Sequence, residues 1–224
     1  MGSVVGDILG PAIGVALSPV PIIAVILMLF TKRAKPNGLA FLLGWALGIA
    51  IVGGIVVAVV DPLAFDPDSG PSVGAAVVKL VLGILLLWLA LRQWRRRPGP
   101  GEEPKMPKWM ASIDSFTPLK TLGLGMLLSA VNPKNLPLTI AASLSIVQAE
   151  LGSAGIAVSL TVFIIIASLS VAAPLAFYLL KGEGAAKALD GWKTWLTKNN
   201  DTVMAVLFLV FGVVLVGKGI GELA

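Results

Sequence analysis

Six apolar runs, each about as long as a bilayer is thick, divide this chain at residues 4–30, 39–60, 73–94, 119–146, 156–180 and 203–220. Runs of about 20 apolar residues predict membrane-crossing helices. The first and fourth are longer, some 40 Å as straight helix against a hydrocarbon core of about 30 Å. Both are interrupted by prolines: Ser18-Pro19-Val20-Pro21 in the first, and Asn132-Pro133-Lys134-Asn135 with Pro137 in the fourth. A proline inside a helix removes one backbone hydrogen bond, here from the carbonyls of Val15, Leu17, Ser129 and Pro133. Such groups cannot stay unpaired in hydrocarbon. One broken helix in each half of a membrane protein marks a site near the midplane.

The halves are residues 1–94 and 119–224, joined by a linker at 95–118 rich in proline, glycine and charge. Three spans per half send the second half into the membrane from the opposite side, so the expected fold is all-α, with six transmembrane helices as two inverted three-helix repeats. Pairing Pro19 with Pro133 also pairs Ala16 with Ala130 and Ser18 with Asn132, at an offset of 114 residues. Near the end of the chain, at about 184–198, Trp192 and Trp195 alternate with Lys187, Lys193 and Lys198 at helical spacing. That pattern predicts an amphipathic helix lying on the membrane surface.

Composition narrows the function. The chain is 57% hydrophobic and 13% charged, well above the apolar share of a soluble domain. It has no cysteine and no histidine, so disulfides, thiol chemistry and Cys/His metal sites are excluded, and no cofactor is expected. The net charge of +5 lies in loops between spans, which points to the membrane surface rather than to nucleic acid. Lys32, Arg33 and Lys35, then Arg92, Arg95, Arg96, Arg97, Lys105, Lys108 and Lys120, then Lys181, Lys187, Lys193 and Lys198 fill alternate loops; Asp61, Asp66, Asp68 and Glu150 fill the others. The basic loops should face the cytoplasm, with both termini outside the plasma membrane. Asp7 and the lack of a basic residue before the first apolar run argue against a cleaved signal peptide.

No histidine base, thiol or intramembrane carboxylate pair is available, and Ser18 has no partner base, so the chain is not expected to be an enzyme. Lys134 is the exception among the apolar spans. A charge at that depth costs on the order of 3 kcal/mol unless it faces water, a partner or a ligand. With Ser18, Asn132 and Asn135 beside it, Lys134 would suit an anionic group: a carboxylate, phosphate or sulfate. Alternatively, its ammonium satisfies carbonyls freed by the breaks, or snorkels. Asp7 should lie at the outer surface, and Lys79, near the outer end of the third span, should snorkel. Gly44 and Gly48, Gly53-Gly54, Gly123 with Gly125, and Gly217 with Gly221 offer close helix approaches, within the bundle first and at a dimer seam second.

With its Ser18-Pro19-Val20-Pro21 and Asn132-Pro133-Lys134-Asn135 elements, six spans and basic middle loop, the sequence resembles the L-lysine exporter superfamily. Within it, the chain is most similar to the actinobacterial GAP family, whose members are described as addressing glycopeptidolipid or sulfolipid to the cell surface. The resemblance covers nearly the whole chain and implies an exporter built from two inverted repeats, often dimeric, moving an anionic amphipathic or lipid substrate toward the envelope. Pro19, Pro21, Asn132, Pro133 and Lys134 would then line the translocation site, with Ser18, Asn135 and Pro137 alongside. It equally implies two other roles: a non-transporting accessory to a larger lipid-export machinery, or a small amino-acid exporter. The cysteine-dependent reductant, cadmium and histidine-loop nickel/cobalt branches are excluded by composition.

Overall fold

A computed structural model describes residues 2–60, 73–99 and 107–223. Asp61, Asp66, Asp68 and Lys105, assigned above to loops, lie outside these residues. The described chain is helical throughout, without a strand. Its helices are α1 (Gly2–Ala16), α2 (Pro19–Leu29), α3 (Ala34–Val60), α4 (Val73–Arg95), α5 (Pro118–Ala130), α6 (Asn135–Gln148), α7 (Ser153–Lys181) and α8 (Ala186–Gly221), with short 3-10 turns at Lys108–Ser115 and Gly182–Ala185.

α3, α4, α7 and α8 are each long and apolar enough to cross a bilayer, and α1 with α2 form a fifth candidate span bent by 53°. This is a multi-pass membrane protein. The fourth expected span is less regular: α5 and α6, of 13 and 14 residues, are each too short to cross a core of about 30 Å as a straight helix.

Why the helices pair as they do can be read from the glycines. A side chain on Gly44 would run into the Leu122 carbonyl, on Gly48 into the Ser129 hydroxyl, and on Gly125 into the Phe41 carbonyl. These three let α3 and α5 touch backbone to backbone, the close approach that packing between apolar helices depends on. α4 and α8 use the same device through other residues: Gly83, Gly212 and Gly219 face backbone atoms of the partner helix within about 3 Å. Gly217 and Gly221, spaced like an interface pair, have nothing within 4 Å; neither do Gly54 and Gly123. At the centre, Trp45 of α3 is fully buried and donates its indole N–H to the Ala167 carbonyl of α7 at 3.2 Å.

The amphipathic segment at 184–198 departs from expectation. It is not a separate surface helix but the beginning of α8, which continues unbroken for 36 residues, roughly 54 Å at 1.5 Å per residue. After the turn at Gly182–Ala185 it runs along α2 and then α4, and near its start Trp192 lies against Phe177 of α7 with ring centroids 5.5 Å apart. Ala185 and Leu189 are buried with Ile26 and Leu29 of α2 and Leu175 of α7. Those apolar contacts hold the start of the segment against the bundle, while its tryptophans stay about half exposed, at 43% and 58%.

Candidate functional site

The first break begins with absent donors. Pro19 and Pro21 have no N–H to offer Val15 and Leu17, so α1 ends at Ala16 and Ser18 adopts an extended conformation (φ −109°, ψ 98°). Both prolines then fall in the first turn of α2, where no backbone N–H is required. They start the second helix rather than kink a single one.

The carbonyls at the end of α1 can be accounted for one by one. Ile13 accepts from the Leu17 N–H at 2.9 Å. Gly14 and Leu17 accept from the Lys134 ammonium at 2.5 and 2.7 Å. Ser18 Oγ lies 2.8 Å from the Val15 carbonyl and 3.0 Å from Asn135 Oδ1, its single proton shared between them. Ala16 accepts from the Ser18 N–H and from the hydroxyl of Ser170 on α7. Every oxygen that the break exposes has a donor, as burial in hydrocarbon demands.

The second break supplies one of these donors, the Lys134 ammonium, and the Asn135 acceptor for Ser18. Asn132 Oδ1 accepts from the Lys134 backbone N–H at 2.9 Å, which turns the chain so that Lys134 points inward. Asn135 holds α5 to α6 by donating from Nδ2 to the Leu128 carbonyl at 3.3 Å. Lys134 is 0% exposed, and its ammonium sits at the C-terminal end of α1, where the helix dipole favours a cation. The two reasons for placing Lys134 at a site therefore resolve in favour of carbonyl satisfaction in this conformation.

The breaks hold equivalent places. The Ser18 carbonyl accepts the first helical bond of its second half, from Ile22 N–H at 3.3 Å, and the Asn132 carbonyl accepts the corresponding bond from Leu136 N–H at 3.0 Å. Pro137 cannot donate the next one, which delays the regular helix to Asn135.

Of the expected site residues, Ser18, Lys134 and Asn135 meet in the buried junction. Pro19, Pro21 and Pro137 are buried in the first turns beside it. Asn132 is half-buried and acts through the backbone of Lys134; Pro133 is exposed and faces away. Sequence reasoning missed Ser170, whose neighbour Ala16 is 154 residues distant. It also missed Thr139 and Ser143, one and two turns beyond Asn135 on α6, whose buried hydroxyls have no hydrogen-bond partner. Their four-residue spacing from Asn135 was a readable signal.

A second polar cluster closes the opposite end of the bundle, where α1 and α4 begin and α6 and α8 finish. Lys79, 1% exposed, does not snorkel: its ammonium pairs with Glu222 and donates to Gln148 Oε1 at 2.7 Å. Lys218 pairs with Asp7 at 2.8 Å, both partly exposed. A cavity of about 390 Å³ lies among Asp7, Ser145, Gln148, Lys218 and Glu222. Glu222→Ala is expected to lower the melting temperature more than Lys218→Ala. Stranding a buried cation costs about 3–5 kcal/mol, part of which Gln148 recovers here, whereas an exposed pair is worth at most about 1 kcal/mol. Thermal unfolding of the two purified variants checks the order.

Comparison with known proteins now bears on this architecture. A family model described as Sap, sulfolipid-1-addressing protein, matches residues 8–221. The chain belongs to that family. The match runs through both breaks and to the last residue of α8, so the Sap family pattern encloses the whole Lys134 junction and most of the Lys79 cluster. No curated protein and no solved structure matches the chain.

Proposed function

We propose that this Sap-family protein is an exporter that carries an anionic lipid toward the outside of the plasma membrane by alternating access around its two broken helices. The observation that carries the reading is the junction itself: the breaks, one from each half, are tied by Lys134 to Gly14 and Leu17 and by Ser18 to Asn135. An anionic headgroup can compete with those carbonyls for the Lys134 ammonium, which would release α1 from the second break. Binding and opening are then one event, since a ligand shifts a conformational equilibrium only by preferring one state.

Three further features support it. The helix packing is compatible with inverted repeats: α3 packs on α5 and α6, α7 on α1 and α2, and α4 on α8, a pattern that survives exchange of the halves. The partnerless hydroxyls of Thr139 and Ser143 extend polar character along α6 from the junction, where a passing headgroup or water would satisfy them. The family's description as sulfolipid-1-addressing favours a lipid with an anionic head over a free amino acid. Kinship with the L-lysine exporter superfamily and a non-enzymatic role belong to the same proposal.

Vesicles of phosphatidylcholine with a fluorescent anionic lipid test it. The purified protein is expected to move the reporter between leaflets faster than empty vesicles do. A rate equal to that of empty vesicles, with the same protein co-purifying with a separate exporter from its native membrane, would replace transport by the accessory role.

A further inference from the structure

An open-sided groove of about 530 Å³ runs between α2, α7 and the start of α8, lined by Ile22, Ala173, Pro174, Gly191, Trp195 and Leu196. Its lining is almost wholly apolar apart from Ser170, whose hydroxyl is turned onto the Ala16 carbonyl of the first break. The groove therefore connects the flank of the bundle to the Lys134 junction through one side chain. Its size falls within the range of small-molecule sites, roughly 300–1,000 Å³.

Charge surrounds the end of the groove where α2 and α7 finish and α8 begins. Lys32, Arg33, Lys35, Lys181 and Lys187 are all exposed there. Lys187 lies one helical turn before Gly191, so it flanks the groove at this end, while Lys198, three residues after Trp195, lies about 16 Å further along α8. Among the described side chains the nearby acids are engaged: Asp190 pairs with Lys193 at 2.6 Å, and Asp201 accepts from Gln93 at 2.6 Å and from Asn200 at 2.8 Å. An apolar slot beside half-exposed tryptophans and exposed cations complements a molecule with a hydrocarbon tail and a negative head.

We propose that the groove holds an acyl chain of an anionic lipid, entering sideways from the leaflet at the basic end with its headgroup beside Lys187. This rests on the export reading and names the entry site for it.

Gly191 gives a clean way to close the slot. A Cβ added there would meet nothing within 4 Å, and leucine is the better helix former, so Gly191→Leu starts from an unhindered backbone position on the groove wall. The probe is a phosphatidylglycerol carrying a photoactivatable group on its acyl chain, in phosphatidylcholine vesicles containing the full-length protein. Adducts are expected at residues 191–196 and 173–174, falling about tenfold in Gly191→Leu. Adducts at lipid-facing Leu43 and Leu47 of α3 should be unchanged. The same probe with a choline head should label the groove less, and Lys187→Gln with Lys181→Gln should erase that difference. Equal groove labelling in wild type and Gly191→Leu, equal labelling by both headgroups, or a second copy of the chain cross-linked across Trp195 would overturn the proposal. Groove labelling by a wild-type protein that moves no lipid would leave the binding site standing and remove the transport reading. Transport unimpaired by Gly191→Leu would do the reverse.

Discussion

Lys134→Met is expected to abolish lipid movement and to lower the melting temperature of the purified protein. Methionine keeps the length and apolar stem of the side chain but donates no hydrogen bond. The Gly14 and Leu17 carbonyls lose this donor in a site with no exposure to solvent. An unsatisfied buried carbonyl costs about 1–3 kcal/mol, although hydrogen bonds within membrane bundles average nearer 0.6 kcal/mol because the loosened state finds other partners. A loss of about 2 kcal/mol for the pair lies between these scales. Asn135→Leu removes the Ser18 contact and the long bond to the Leu128 carbonyl but spares both charge-assisted Lys134 bonds, and should destabilise less. Thermal unfolding and vesicle flux on the same preparations separate the two effects. A Lys134→Met protein as stable and as active as wild type would mean that the junction is not held in this way.

Gly44→Val is expected to prevent stable assembly of the bundle, whereas Gly123→Val should be silent. The side chain added at Gly44 meets the Leu122 carbonyl, a backbone group that cannot rotate aside. Overpacking in a core that can adjust costs about 1–3 kcal/mol. Here the whole of α5 must retreat from α3, which also carries the second break away from the first, so transport should fail with folding. Gly123 lies on the same helix as Gly125 but faces open space. Gly54→Val is the matching control on α3. Yield of monodisperse protein and melting temperature read the contrast, and similar behaviour of Gly44→Val and Gly123→Val would refute the close α3–α5 contact.

The legible part of this protein was local. Apolar runs located the helices, and the prolines located the breaks together with the carbonyls they would expose. Val15 and Leu17 do take side-chain donors, Ser18 and Lys134. Sequence could not say which use of Lys134 prevails, because an inward ammonium suits an anion and a carbonyl equally; the choice depends on where α1 ends in space. The glycines show the same limit. Four-residue spacing marked Gly217 and Gly221 as readily as Gly44 and Gly48, but spacing on one helix says nothing about which face a partner covers. The tryptophan and lysine pattern at 184–198 marked a helical segment, but not that it continues without a break into the last span. Amphipathicity predicts two environments, and part of the apolar one is α2 and α7.

A reversible tie across the junction tests the central claim most directly. The chain has no cysteine, so Ser18→Cys with Asn135→Cys creates a single thiol pair where side-chain atoms already lie 3.0 Å apart. If the breaks must part for a lipid to pass, oxidising this pair in proteoliposomes will stop lipid movement and reduction will restore it in the same sample. A fully oxidised protein that moves lipid at the rate of its reduced form would contradict the account.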